Sequence, residues 1–372
     1  MRVPFMSLDA IENAVDVVGA VERVVRSHRY ILGSEVARFE RAFAEFCGVD
    51  HCIGVANGTD ALEIALRCLD VSPGDRVLVV ANAGHYSSTA VRTIGAIPEY
   101  VDIDPGTMTM SPLALSAALE CRPAEVRPAA VIVTHLYGQL ADTDAIVAGA
   151  SRLGIPVIED CAQAHGAARG GTRAGAFATI GCFSFYPTKN LGAVGDGGAL
   201  VTNDATLAAR VRSLRQYGWG DKYHVDIAGG RNSRLDEIQA AVLNDRLPHL
   251  ERWNGERRRI ASTYRGELGG TPLVLPPSDG EDYVAHLHVV RVAERDQFRG
   301  RLGESGIDTE VHYPVPDHLQ SAYDAGSDAT DLPETIAACS SVVSLPCYPG
   351  LEQEAQMRVI EAAVGFFSSS GR

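Results

Sequence analysis

Through roughly the first 205 residues, short apolar runs rich in β-branched residues alternate with longer stretches whose apolar positions recur at helical spacing. The runs are HCIGVA from His51, DRVLVVA from Asp75, IPEYVDI from Ile97, AAVIVTHL from Ala129, IPVIEDC from Ile155, IGCFSF from Ile180 and GGALVTN from Gly197. Strands this apolar are buried on both faces, so the pattern predicts an α/β fold with helices on each side of the sheet. In NGTDALEIALRCLDVSPGD, Leu62, Ala65, Leu66 and Leu69 share a helical face, with start signals from Asn57 to Asp60. TLAARVRSLRQYG and the long SRLDEIQAAVLNDRLPHLERWNGERRRIASTYRGEL also read as helices, the second bridging to another unit. From Thr271 the pattern changes to the strand HLHVVRV, the helix RDQFRGRLGESG, the Pro- and Tyr-rich VHYPVPDHLQSAY and the closing helix EQEAQMRVIEAAVGFF. The expected division is a large α/β domain over residues 1–250 and a smaller α+β domain over 251–372, ending in a frayed SSSGR tail.

With 46% hydrophobic and 22% charged residues, the chain has the composition of a soluble globular protein. No apolar run approaches the length of a membrane span, and the first residues lack a basic region followed by an apolar one, so a cytoplasmic protein is expected. Eight cysteines show no paired metal-ligand spacing and sit mostly beside apolar residues, which suits buried free thiols and leaves no metal expected. A net charge of −14 argues against nucleic acid as partner. It leaves room for a small anionic ligand held by local donors.

Lysine changes the picture. The chain carries 33 Lys and Arg, yet lysine occurs only at 189 and 222. An ε-amine can lose its proton in a desolvated pocket and attack a carbonyl, which a guanidinium cannot. Lys189 sits in CFSFYPTKNLGAVGDGGALV, where glycines let the backbone pass close to another segment or a bound molecule. Three other loops at strand ends carry candidates. Gly58 and Thr59 open a helix and suit a phosphate, as they suit an ordinary N-cap. Glu159 and Asp160 end a nearly all-apolar strand, and alternation sends one to each face. Arg231, Asn232 and Arg234 precede a helix and suit a phosphate or a partner chain. A Schiff-base lysine, a carboxylate for a cationic ring nitrogen and a phosphate cradle together meet the needs of pyridoxal phosphate (PLP).

The order NGTDAL, HLYGQ, EDCAQAHGA, FSFYPTKNLGAVGDGGA, GGRNSRLDEIQAAVL, VHYPVPDHLQSAY and SLPCYP resembles the PLP-dependent sugar aminotransferases of the DegT/StrS family. The resemblance runs from PFMSLD and RYILGSEVARFERAFAEFCG to the closing helix, and implies fold type I with a mixed seven-stranded sheet. It implies that Lys189 forms the Schiff base, Asp160 pairs with the pyridinium nitrogen and Gln163 approaches the ring hydroxyl. Ser184, Gly58 and Thr59 would hold the phosphate, and Asn232 would reach it from the other subunit of a homodimer. An aromatic residue would stack on the ring; ANAGHYSSTA departs from the commoner segment, leaving Tyr86 or His85. Lys222, Arg231, His312 and His318 are the substrate candidates. The implied reaction is ping-pong: L-glutamate supplies the amino group, and a keto sugar on a nucleoside diphosphate receives it. HLYGQLADTDAI and VHYPVPDHLQSAY point to C-3 of a dTDP-3-keto-6-deoxyhexose, with C-4 or a keto-cyclitol as alternatives. A dinucleotide-dependent oxidoreductase would need G-x-G-x-x-G after an early strand, and GVANGTDAL lacks it. A PLP-binding regulator without catalysis would need only the lysine and the cradle, and the presence of Asp160 favours an enzyme.

Overall fold

The computed structural model describes residues 2–120, 127–323 and 331–369. All seven expected strands form, as β1 (His51–Val55), β2 (Arg76–Val79), β3 (Ile97–Tyr100), β4 (Ala130–Thr134), β5 (Val157–Asp160), β8 (Ile180–Ser184) and β9 (Gly198–Thr202). A two-residue-per-strand hairpin, β6 (Ala168–Arg169) and β7 (Thr172–Arg173), lies between the fifth and sixth of these. The seven make one mixed sheet in the order β1-β9-β8-β5-β4-β2-β3, in which β9 pairs antiparallel with both β1 and β8 and all other pairs are parallel. The carboxyl ends of β4, β5 and β8 therefore share one edge, which is where an open α/β sheet binds its ligands.

Alternation distributes the sheet's side chains between its two faces, where they join three core clusters. Ile158, Ile180, Cys182 and Leu200 pack with Leu62, Ala65 and Leu66 of the helix Gly58–Cys68 on one face. Phe183 and Phe185 meet Phe39 and Phe43 of the helix Ser34–Cys47 on the other, with Phe43 and Phe183 edge to face at 4.9 Å. A further cluster in the C-terminal part runs from Ile260 to Phe366, joined by Val3, around the antiparallel pair β10 (His288–Arg291) and β11 (Val342–Leu345).

The long helix expected after Ser233 is interrupted. It forms as Glu237–Arg246, a 3-10 turn Leu247–His249 and Leu250–Leu268, because Pro248 has no N–H to continue the ladder. β11 and the helices Val17–Ser27 and Pro333–Ser341 were not among the expected elements. The seven described cysteines are free and buried; Cys121 and the last three residues of the SSSGR tail lie outside the described residues. Among the described residues, no helix is long and apolar enough to cross a membrane.

Candidate active site

At the shared strand edge lies a cavity of about 410 Å³ whose walls include Lys189, Asp160, Gln163, Gly58, Thr59, Ser184 and Tyr86. Lys189 is set by a turn in which its N–H bonds the Tyr186 carbonyl at 2.8 Å, and the chain returns to the sheet through Ala193 N–H to Phe185 O at 2.8 Å. Protein surrounds the amine except on the cavity side. That burial pushes its pKa down to about 8, against the pull of the nearby Asp160 carboxylate. Near neutral pH a useful fraction is thus free amine, the form that attacks a carbonyl.

The two adjacent acids of β5 divide as strand alternation requires. Asp160 faces the cavity and accepts the Ala162 N–H at 3.1 Å and the hydroxyls of Ser87 at 3.3 Å and Thr134 at 3.5 Å. Burial raises its pKa, with the Ala162 N–H and the Lys189 charge opposing. A cationic ring nitrogen beside it would hold it ionised. Glu159 points to the opposite face, where it accepts N–H groups of Gly175, Phe177 and Ala178 at 2.8–2.9 Å and bonds His135 Nε2 at 3.0 Å. It organises the loop between β7 and β8 and takes no part in the cavity.

The cradle is made by close approach. Asn57 caps the helix Gly58–Cys68 by accepting the Asp60 N–H at 2.8 Å, which leaves the first-turn donors at the cavity mouth. A Cβ on Gly58 would stand 2.6 Å from the Ser184 Cβ, so only glycine lets the helix start against the end of β8. Gln163 is locked by its Oε1, which accepts the Tyr137 N–H at 2.6 Å, and its Nε2, which donates to the Tyr313 hydroxyl at 3.2 Å. Of the two aromatic candidates, Tyr86 lines the cavity, with its ring edge-on to Tyr313 at 6.1 Å. His85 turns away to stack on Tyr323 at 4.8 Å, while its backbone N–H bonds Asp317 at 2.9 Å.

The remaining candidates lie outside the cavity lining. Arg231 is held by Asp60 at 3.1 Å and by Glu63, so its charge is already matched within the chain. Lys222 is exposed, its amine 5.0 Å from the centre of the Tyr223 ring. Asn232 is exposed beside Gln216, on the arm that also carries Lys222. The His312 ring bonds the Ser344 hydroxyl at 2.8 Å, and burial pushes its pKa down to about 4. His318 is buried against Tyr100, with ring centres 5.8 Å apart. The sequence reading did not single out Tyr186 or Asp196, which line the cavity, or Tyr313, which steadies Gln163. Both tyrosines stand inside the quoted segments, and only the folded loop reveals their direction.

These residues fit pyridoxal phosphate. The cavity joins an amine of lowered pKa to a buried carboxylate, and small residues at a helix start leave room where a Cβ would not fit. A model of the DegT/DnrJ/EryC1/StrS aminotransferase family matches residues 12–364. The chain is 45% identical over 367 residues to dTDP-3-amino-3,4,6-trideoxy-alpha-D-glucose transaminase of Streptomyces venezuelae, covering 97% of this chain and 95% of that one. It is 44% identical over 363 residues to dTDP-3-amino-3,6-dideoxy-alpha-D-galactopyranose transaminase of Aneurinibacillus thermoaerophilus, covering 97% and 98%. The crystal structure of S. venezuelae DesV in complex with a ketimine intermediate superposes with a TM-score of 0.93 at 44% identity, over 98% of each chain. By the family model and these relatives, the chain belongs to the DegT/DnrJ/EryC1/StrS aminotransferase family, whose cofactor is pyridoxal 5′-phosphate.

Proposed function

We propose that this enzyme moves the amino group of L-glutamate to C-3 of a dTDP-3-keto-6-deoxyhexose in a ping-pong sequence, glutamate leaving as 2-oxoglutarate before the keto sugar enters. The observation that carries the chemistry is the buried Lys189 amine, held at a pKa of about 8 beside Asp160 in the cavity. Similarity to two transaminases named for 3-amino sugars supports the carbon chosen.

When bound, PLP supplies an aldehyde that exchanges with amines and a cationic ring that accepts the electron pair of a deprotonated carbon. Lys189 is the chain's amine for that aldehyde. When not joined to that aldehyde, its amine would serve as the base that moves the proton at the substrate carbon. Asp160 favours positive charge on the ring. The N-terminal donors around Gly58 and Thr59, with the Ser184 hydroxyl, would hold the phosphate. Tyr86 and Gln163, which line the cavity, would meet the ring and its hydroxyl. Asn232 and Lys222, outside the cavity of their own chain, belong to the proposal as groups lent to a partner's site in a homodimer. Exposed Tyr217, Tyr223 and Val225 on the same arm support burial against a second copy. Arg231, His312 and His318 remain weaker substrate contacts, since each already has a partner within the chain. The division into residues 1–250 and 251–372 is part of this reading, supported by the separate C-terminal core. So is a cytoplasmic site, supported by the buried free thiols.

Visible absorption of the PLP-loaded protein, before and after L-glutamate, tests the first half-reaction; NMR of the product from a panel of keto-sugar nucleotides tests the second. Conversion of the chromophore with glutamate and an amine at C-3 are expected. A chromophore that no amino donor alters would turn the reading to a non-catalytic binder, and an amine at C-4 or on a keto-cyclitol would overturn the substrate.

A further inference from the structure

Behind the cavity, a run of buried amides joins the two loops that carry its chemistry. Asn190 directly follows Lys189 and is 1% exposed; Asn254, on the helix Leu250–Leu268, is fully buried. Asn254 Nδ2 donates to the His165 carbonyl at 2.8 Å, in the loop that follows Asp160 and carries Gln163. Asn190 Nδ2 donates to Asn254 Oδ1 at 2.8 Å and to the Val284 carbonyl at 3.1 Å. Asn190 Oδ1 meets His286 Nδ1 at 3.0 Å.

Every orientation in this run is forced. The His165 and Val284 carbonyls can only accept, so each asparagine must present its NH2 group to them. Asn254 then turns its oxygen to Asn190, and Asn190 turns its own to His286. His286 Nδ1 must therefore carry the hydrogen. The histidine is kept neutral by burial and by the nearby charges of Lys189 and Arg257. The same short segment reaches a third loop: Val284 N–H bonds the Gly138 carbonyl at 2.9 Å, and Leu287 N–H bonds the Tyr137 carbonyl at 3.3 Å. Tyr137 in turn holds Gln163. Arg257, one turn beyond Asn254, braces this segment from behind through the Ala285, His286 and Cys347 carbonyls.

We infer that Asn254 is a positioning residue which, through Asn190 on one side and the His165 carbonyl on the other, fixes the Lys189 amine relative to Asp160 and Gln163. A side chain from the C-terminal helix thus sets the relative placement of two groups it does not touch. The inference rests on Lys189 being the amine that takes the cofactor. The titratable groups close enough to influence that amine are Asp160, His165, His286 and His312; Asn254→Leu and Asn254→Ser alter none of them and add no charge, whereas each aspartate variant below adds one carboxylate.

The test compares PLP-loaded wild type with Asn254→Leu, which keeps the bulk and removes both bonds, and Asn254→Ser, which keeps a small donor. Three quantities are read on folded protein: visible circular dichroism of the cofactor, the pH midpoint of its absorption change, and the rate of its conversion by L-glutamate. Asn254→Leu is expected to lower the visible dichroism, to move the midpoint by about half a pH unit or more, and to cut kcat by about 10- to 100-fold. The donor KM should stay within about twofold. Asn254→Ser should recover part of each change. Because orientation is forced, Asn190→Asp, which loses two donated hydrogen bonds, should perturb the chromophore more than Asn254→Asp, which loses one. Unchanged dichroism and midpoint in Asn254→Leu, with only a lower melting temperature, would overturn the inference. If Asn254→Leu does not fold, unchanged signals in Asn254→Ser and the reverse order of the two aspartates would do the same. Failure of the Lys189 reading shows separately, as a wild type with no lysine-linked chromophore.

Discussion

Replacing Lys189 with methionine should make the cofactor-free protein more stable. Burial lowers the folded-state pKa of the amine from 10.5 to about 8, so the folded protein resists a proton that the unfolded chain accepts freely. A base with a depressed pKa destabilises the fold below the lower value, and the deficit disappears as pH rises past the unfolded one. At 1.36 kcal/mol per unit, the deficit is about 3 kcal/mol at pH 7, about 2 at pH 9 and near zero at pH 11. Some of this returns as a loss, because Asp160 is left without its neighbouring cation and water in the cavity softens the penalty. A net gain of about 2 kcal/mol at pH 7 is therefore expected of Lys189→Met. Urea unfolding of both proteins without PLP, at one protein concentration and at several pH values from 6 to 10, measures it. The buried Trp253 is a convenient fluorescent reporter. The informative quantity is the difference between the two proteins, since cysteines and tyrosines titrate equally in both. A variant no more stable than wild type at pH 7, or a gap that does not shrink towards pH 10, would refute the reasoning.

Asp160→Asn should still bind PLP but convert it with L-glutamate about 100-fold more slowly or worse, read by stopped-flow absorbance. Gly58→Ala puts a Cβ against Ser184 and should weaken PLP binding about tenfold, measured by titration of the apoprotein. Glu159→Gln presents an NH2 group to backbone donors and should cost about 3 kcal/mol in urea unfolding, while a lysine-linked chromophore still forms. Burial raises the Asp317 carboxyl to about 7, so its contribution to stability is full below about pH 4 and falls as pH rises through 7. Wild type should accordingly lose stability relative to Asp317→Asn between those limits, and parallel pH profiles would contradict this.

The sheet was legible because its strands are nearly continuous apolar runs, a signal that depends on no partner. The helix break at Pro248 was also available, since the missing donor is written in the residue itself, but the strong periodicity on either side concealed it. Alternation at Glu159 and Asp160 predicted that the acids would part, yet could not say which entered the cavity; that follows from the pairing of β5 with β4 and β8. Gly58 was legible as a helix start. Its steric necessity was not, because Ser184 is distant in sequence and meets it only across the sheet edge. The same limit hid Asn254. An asparagine in a helix that also carries many arginines looks like a solvated position until the fold brings His165 and Asn190 to it.

The two acids of β5 carry a consequence for how the strand can be built at all. A shift of one residue along its neighbours would exchange inward and outward positions, and both carboxylates would arrive where they do harm. The amides of Gly175, Phe177 and Ala178 would lose their shared acceptor, and a negative charge would be delivered to the wrong side of the sheet. A misaligned chain is thus penalised at two separated places by one error. Insertions in the loops around β5 leave both acids where they belong; a single residue inserted within the strand does not, and no compensating change at one acid alone restores the other.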